Sequence, residues 1–336
     1  MATTITQYVP PHHDVLDEDF QAKFPGVTFT KVASVAELVR ALPDSDVMIA
    51  NNPMFTPEVS RAVRDHGKRL KWIQFTTVGV DTAARSGLPS HLPITNVRGV
   101  RTGILASHAM ALMLGLMRGF HQFERHRARN YWARLEIGQL TTTTEGKTMV
   151  IVGLGEIGRD AARKAKAFDM TVIGVSRAGT AGGPIDEVLP RTRLDEALRR
   201  ADVLLLALPL DPDTFHLIGE REFNLMKPSA IVVNIARGPI IDEQALIAAL
   251  TNKTIAGAAM DVTEVEPLPA DSPLWGLDNV LFSPHIGGQG DDAQRQRLSA
   301  LVADNLTRFL AGEPLQNIVI QQTGGWDTNV TATADA

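Results

Sequence analysis

At 336 residues the chain is longer than one compact core usually organises, so two domains are expected. Hydrophobic content of 44%, charged content of 21% and a formal net charge of -5 describe a globular chain without the basic footprint needed for nucleic acid or an anionic membrane surface. Zero cysteines exclude disulfides, thiol catalysis and cysteine metal sites and agree with a reducing, cytoplasmic setting; Met1 to Gln7 carry no basic and apolar leader pattern.

In chain order, Thr3 to Val9, Val27 to Lys31, Val47 to Ala50, Trp72 to Phe75 and Ile94 to Thr95 read as strands, with helical stretches such as Val35 to Leu42 between them. They predict a small flavodoxin-like α/β substrate domain over residues 1–100. The segment Ile104 to Met117 is almost wholly apolar apart from Ser107 and His108. A bilayer span needs about 20 apolar residues, so no membrane partner is expected. A helix apolar all round is read as buried between domains or subunits, and its extent predicts a homodimer.

Thr148 to Val152 is an apolar strand that runs into Gly153-Leu-Gly155-Glu-Ile-Gly158, then a helical pattern from Ile157 to Phe168 and a second strand, Met170 to Val175. This order suits a dinucleotide site. Gly153 permits the tight turn, Gly155 lets a pyrophosphate approach the backbone, Gly158 lets the helix pack on the strand, and the helix N-terminus offers N–H groups to anionic oxygens. The second strand ends in Ser176-Arg177, where an NAD site usually carries an acid for the ribose 2′-hydroxyl. A hydroxyl beside a guanidinium suits a 2′-phosphate, so NADP(H) is expected in preference to NAD(H).

Further strands at Asp202 to Leu208, Ala230 to Asn234, Ile255 to Met260 and Val280 to Phe282 alternate with helical segments near Leu194 to Arg200, Glu220 to Met226 and Glu243 to Leu250. Six strands predict a doubly wound parallel Rossmann sheet over residues 101–286. A last helix, Asp291 to Leu310, and an extended segment, Pro314 to Ile320, are expected to return to the first domain, so that residues 287–320 complete it and the interdomain cleft holds the active site. Gln321 to Ala336, rich in Thr, Gly and Asp, reads as a flexible tail.

Three later motifs join the glycine motif: Asn234-Ile-Ala-Arg237-Gly-Pro-Ile-Ile-Asp242-Glu, Asp261-Val-Thr-Glu-Val-Glu266-Pro-Leu-Pro and Ser283-Pro-His285-Ile-Gly-Gly288. In order and spacing, residues 45–312 resemble the D-isomer-specific 2-hydroxyacid dehydrogenase family. The resemblance implies reduction of a small 2-keto acid, such as glyoxylate or hydroxypyruvate, to the D-2-hydroxy acid by hydride transfer from NAD(P)H, with Arg237, Glu266 and His285 as the catalytic trio. The residue types agree. Arg237 follows a strand end and suits a substrate carboxylate and its adjacent carbonyl. His285 suits proton donation, and Glu266 can orient its ring and favour imidazolium. The family's carboxylate immediately precedes a proline, which selects Glu266 over Glu264. Formate dehydrogenases of the same superfamily carry glutamine there, so a glutamate argues for keto-acid chemistry.

The resemblance also implies that the backbone N–H groups of Val78 and Gly79, in Thr76-Thr-Val78-Gly79-Val-Asp81, bind the substrate carboxylate, that Met54 shapes the pocket, and that Thr102 and Asp261 reach the nicotinamide end. Further cofactor contacts are expected at Glu156, Ile157, Leu208, Pro209, Thr214, Ile235, Ala236 and Gly288. The chain departs from the family at Ser107, where glutamate is common, and at Ser176, where NAD-dependent members carry aspartate. Ser-Arg there resembles NADPH-using glyoxylate and hydroxypyruvate reductases. Family members pair through the helix corresponding to Ile104 to Met117. A dinucleotide-sensing regulatory scaffold, like the family's corepressor members, is the alternative function. No His, Cys or carboxylate set has ligand spacing, so no metal is expected. Among the other histidines, His12, His13, His66, His91, His121 and His126 read as solvated, His216 has no evident role, and His108 reads as a buried, hydrogen-bonded side chain.

Overall fold

A computed structural model describes residues 2–9, 16–17, 19–177 and 183–319, and its contacts divide the chain into two units, residues 1–101 with 290–336 and residues 102–289. The tail, Ile320, His12 and His13 lie outside the described residues. The first unit contains β1 (Thr3–Tyr8), β2 (Val27–Val32), α1 (Val35–Ala41), β3 (Val47–Ala50), α2 (Pro57–His66), β4 (Trp72–Phe75), α3 (Asp81–Ser86) and β5 (Ile94–Thr95). The second contains α4 (Thr102–Met117), α5 (Phe120–Arg127), α6 (Arg134–Gly138), β6 (Thr148–Val152), α7 (Glu156–Lys166), β7 (Thr171–Ser176) and β8 (Glu187–Pro190). It continues with α8 (Leu194–Arg200), β9 (Val203–Leu206), α9 (Glu220–Leu225), β10 (Ile231–Asn234), α10 (Glu243–Thr251), β11 (Gly257–Met260) and β12 (Val280–Phe282). A last helix, α11 (Asp292–Ala311), belongs to the first unit.

The first unit's parallel sheet has the order β2-β1-β3-β4-β5, the flavodoxin-like winding. Alternation along its strands sends Met48, Ala50, Ile73 and Phe75 to one side, with Leu38 of α1 and Val59 of α2, and Ile5, Val47, Ile49 and Trp72 to the other, with Leu298, Val302 and Leu306 of α11. Helix α11 stops at Gly312, whose φ of 72° is left-handed. The chain then runs beside β5: Ile318 bridges Thr95 in antiparallel sense, and the Val319 N–H donates to the Ile94 carbonyl at 2.7 Å. Of the extended segment expected over Pro314 to Ile320, Ile318 and Val319 run beside β5, after bends at Gln316 and Asn317.

The second unit's parallel sheet has the order β12-β11-β10-β9-β6-β7-β8, a doubly wound topology that reverses between β6 and β9. Strands buried on both faces favour near-continuous apolar runs, which is why Val203–Leu206 is wholly apolar and Ile231–Asn234 is apolar up to its final, buried Asn234. Val150, Val152, Leu204 and Val232 pack with Leu198, Phe223 and Leu246 of α8, α9 and α10. Met149, Ile151, Leu205 and Val233 pack with α4 and α7.

One expectation of the fold is corrected. The second sheet has seven strands rather than six. The unforeseen β8 is an edge strand with only Leu189 buried and with Glu187 and Pro190 in it, so it lacks the apolar run of a core strand. Helices α5 and α6 were also unforeseen; α5, Phe-His-Gln-Phe-Glu-Arg-His-Arg, buries none of its residues. Helix α4 buries Ala106, Ala109, Met110, Leu112 and Met113 within its own unit, because one side of it covers a face of that sheet. Its outward positions are the small residues Gly103, Ser107 and Ala111. No single helix among the described residues is long and apolar enough to cross a membrane.

Candidate active site

The dinucleotide turn is shaped by absent side chains. Gly153 has a φ of 100°, and a Cβ there would meet the Ala207 carbonyl oxygen at 2.4 Å. A Cβ at Gly158 would lie 2.0 Å from the Gly153 oxygen, which is the close packing of α7 on the turn. At Gly155, by contrast, a Cβ would meet nothing within 4 Å. No side chain caps α7, so its first N–H groups and positive dipole end remain for an anion in front of Gly155. This cradle fits a dinucleotide pyrophosphate. Gly153 follows β6 and Leu208-Pro209 follow β9, the two strands at the reversal where open α/β sheets bind ligands.

Other residues expected to touch the cofactor lie at the start of α7 and on the loops after β9 and β10. The Thr102 hydroxyl donates to Glu156 Oε2 at 3.0 Å. Thr214 ties down the loop after β9, its hydroxyl donating to the Pro209 carbonyl at 2.9 Å and accepting from the Asp211 N–H at 2.7 Å. Ile157 packs beside α7's core, and Ile235 and Ala236 are buried at the end of β10. Strand β7 ends at Ser176, and Arg177 follows, half exposed, with Nη2 3.9 Å from Oδ2 of the buried Asp211. The sequence places no acid at this strand end, yet the fold supplies one from the loop after β9. Its only local signal was an acid in the turn Leu210-Asp211-Pro212.

Side chains dominate at the ends of β10, β11 and β12. Beyond β10, Asn234 holds the turn by donating to the Arg237 carbonyl and accepting from the Ala236 N–H, both at 3.0 Å. A Cβ at Gly238 would lie 1.9 Å from the Thr263 carbonyl oxygen, so the backbone after Arg237 lies directly on the loop after β11. Beyond β11, the buried Asp261 accepts from the Ser283 hydroxyl at 2.6 Å and from the N–H groups of Ile286 and Gly287 at 3.0 Å each. Its own carbonyl accepts from the His285 N–H at 2.8 Å. Asp261 thereby fixes the turn Ser283–Gly288 that presents His285.

His285 Nδ1 lies 2.7 Å from Glu266 Oε2, while Glu266 Oε1 accepts from the Thr263 N–H at 3.2 Å. The hydrogen bond that His285 donates to Glu266, reinforced by the carboxylate charge, holds the imidazolium pKa above its ordinary value, against burial and the Arg237 charge, which lower it. With Nδ1 committed to Glu266, Nε2 is the nitrogen turned to other work. The structure thus joins Glu266, His285 and Asp261, with Arg237 close enough to act on the ring's charge.

The first unit positions its own residues. Asn96 donates to the Val78 carbonyl at 2.8 Å and the Thr77 hydroxyl to the Gly79 carbonyl at 2.9 Å, which sets the loop after β4. Met54 is half-buried against that unit's core. Among the histidines, His108 pairs with the Ser283 hydroxyl at 2.8 Å and lies 3.3 Å from Asp261, as a satisfied inner side chain. His66 and His91 are exposed. His121, read as solvated, is instead half-buried against the Asp278 carbonyl, and burial lowers its pKa. His216, read as without a role, pairs with Glu264.

The model for the D-isomer specific 2-hydroxyacid dehydrogenase NAD binding domain matches residues 110–287. The chain belongs to the D-isomer-specific 2-hydroxyacid dehydrogenase family. It is similar to a glyoxylate reductase of Thermococcus gammatolerans, 35% identical over 321 residues that cover 92% of each chain. A glyoxylate reductase of Pyrococcus furiosus is 36% identical over 287 residues, covering 82% of this chain and 83% of the relative. Among solved structures, an NADPH-dependent glyoxylate/hydroxypyruvate reductase from Sinorhizobium meliloti, in complex with NADP and sulfate, superposes with a TM-score of 0.80 at 26% identity, covering 94% of this chain and 98% of that one. The chain is an NAD(P)-dependent dehydrogenase of this family.

Proposed function

We propose that this dehydrogenase reduces a small 2-keto acid, glyoxylate or hydroxypyruvate first among candidates, to the D-2-hydroxy acid with NADPH. The observation that carries the reading is the 2.7 Å pair of His285 and Glu266, which keeps a proton on an imidazole whose second nitrogen can donate it. The nicotinamide, when bound, supplies hydride. His285 Nε2–H gives its proton to the carbonyl oxygen as the carbonyl carbon takes the hydride, leaving a neutral imidazole and an alcohol. Glu266 orients the ring and stabilises its charged form. Arg237 binds the substrate carboxylate and polarises the carbonyl. The N–H groups of Val78 and Gly79 add carboxylate contacts, and Met54 shapes the pocket.

For the cofactor, the turn from Gly153 to Gly158 and the end of α7 take the pyrophosphate, with Thr102 and Asp261 toward the nicotinamide. Glu156, Leu208, Pro209, Thr214, Ile235, Ala236 and Gly288 line the remainder, and Ser176 and Arg177 take the 2′-phosphate. Asp211 already shares the Arg177 guanidinium, so preference for NADPH depends on the phosphate displacing or sharing that contact. A homodimer is proposed through the outward face of α4 and the exposed Phe120, Phe123, Tyr131 and Trp132 that follow it. A reducing compartment such as the cytoplasm suits a chain without cysteine. Steady-state kinetics with glyoxylate, hydroxypyruvate and pyruvate, each with NADPH and NADH, test the reading. Turnover supports it, with a D-product from hydroxypyruvate or pyruvate and achiral glycolate from glyoxylate; dinucleotide binding without turnover on any keto acid contradicts it.

A further inference from the structure

Two histidines of the second unit adopt left-handed backbone, His285 at φ 53° and His216 at φ 49°, and each meets a glutamate of the same loop. The His285 partner is Glu266. His216 Nε2 lies 3.0 Å from Glu264 Oε1, and Phe215 stacks on the ring with centroids 4.0 Å apart. His216 Nδ1 is 4.0 Å from Asp242 Oδ2. Glu264 is clasped in turn: its Oε2 accepts from the Glu243 N–H at 3.2 Å, and its own N–H donates to Glu243 Oε2 at 3.0 Å.

The clasp joins three segments. The His216 N–H donates to the Pro239 carbonyl at 2.8 Å and the Asp242 N–H to the Ile218 carbonyl at 3.0 Å, which stitches the turn before α9 to the chain running from Arg237 to α10. Glu264 stitches both to the loop after β11. One residue earlier, the Thr263 N–H holds the Glu266 oxygen that His285 does not use, at 3.2 Å. A continuous set of contacts therefore runs from His216 through Glu264 and Thr263 to Glu266 and His285.

We infer that His216 is a positioning residue: acting through Glu264, it holds the loop that aims Glu266 at His285. The physical reason is the charge it sits among. Asp242 and Glu264 converge on its ring, so replacing the imidazole leaves two carboxylates facing one another, and their repulsion opens the clasp. Glu266 is more than a third exposed and depends on the Thr263 N–H for its second anchor. A shift of about 1 Å in a group that sets reaction geometry can cost 100-fold in rate. This inference rests on His285 being the proton donor.

The test is NMR titration of the histidine ring protons in the full, cofactor-free chain, with His285→Gln identifying the His285 signal. In the wild type, His285 titrates above the ordinary imidazole value. In His216→Ala it is expected to titrate nearer that value, while kcat for glyoxylate with NADPH falls roughly 10- to 100-fold and the KM for NADPH stays within about two-fold. His216→Gln, which can still donate to Glu264, should recover most of both effects. Glu264→Gln carries the same comparison should His216→Ala not fold. An unchanged His285 titration in the folded variant overturns the inference. If His285→Gln keeps wild-type turnover, the donor assignment itself falls; if it is inactive while the His216→Ala titration is unmoved, only the role of His216 falls.

Discussion

The turn after β6 and the loops after β11 and β12 serve one sheet but are built in opposite ways. Around Gly153 the shape comes from side chains that are missing, since a single methyl would strike a backbone oxygen at 2.4 Å. Around His285 it comes from side chains that pair, His285 with Glu266 and Asp261 with Ser283 and two N–H groups. A backbone cradle presents fixed dipoles to an anion and does not titrate. A pair of side chains can gain and lose a proton, which is what keto-acid reduction asks of that end.

Substitutions at the two ends should therefore differ in kind. The largest effect is expected from His285→Ala, which should lower kcat for keto-acid reduction by about 10²- to 10⁴-fold, the usual contribution of a positioned acid, with NADPH binding retained. Steady-state kinetics and a fluorescence titration with NADPH separate the two, and retained turnover would remove His285 from the chemistry. At the nucleotide end, Arg177→Ala should lower kcat/KM for NADPH by roughly 10- to 100-fold and change NADH use little, since charge-assisted hydrogen bonds contribute about 1.5–3 kcal/mol. Equal losses with both cofactors would contradict the assignment of Arg177 to the phosphate. Ser176→Asp should favour NADH, because its carboxylate repels a phosphate and accepts from a hydroxyl.

Gly153→Ala should act on fold and cofactor together, costing about 1–3 kcal/mol from backbone strain and weakening both dinucleotides alike. A thermal melt and parallel NADPH and NADH titrations check it; a selective loss of one cofactor would show that the turn reads more than pyrophosphate. The smallest effect is expected from Asp211→Asn. Removing the charge beside Arg177 should raise the NADPH to NADH preference a few-fold, read as the ratio of kcat/KM values. A fall in that ratio would mean that Asp211 orients Arg177 for the phosphate instead of competing with it.

The same contrast explains what the sequence reveals. Val47–Ala50, Trp72–Phe75, Thr148–Val152 and Val280–Phe282 stand out to the residue because parallel strands leave mainly apolar runs. Strand β8 escapes notice because an edge strand tolerates Glu187 and Pro190. The glycine turn is legible because its constraints are local, one residue requiring positive φ and another close packing. Arg237, Glu266 and His285 are legible as residue types in motifs, but their mutual geometry is not. Asp211 beside Arg177 and Glu264 beside His216 leave no pattern, since each pair joins separate loops that only the folded sheet brings together.

The pH dependence of kcat/KM for glyoxylate reduction, compared between wild type and Glu266→Gln, tests the central claim most directly. In the proposed reaction, reduction consumes a proton held by His285, and Glu266 raises the pKa of that imidazole above its ordinary value. Activity should therefore hold at low pH and fall as pH rises through the raised value, and in Glu266→Gln the falling limb should move to lower pH with a reduced plateau. The same limb in both proteins would contradict proton donation by a glutamate-supported His285.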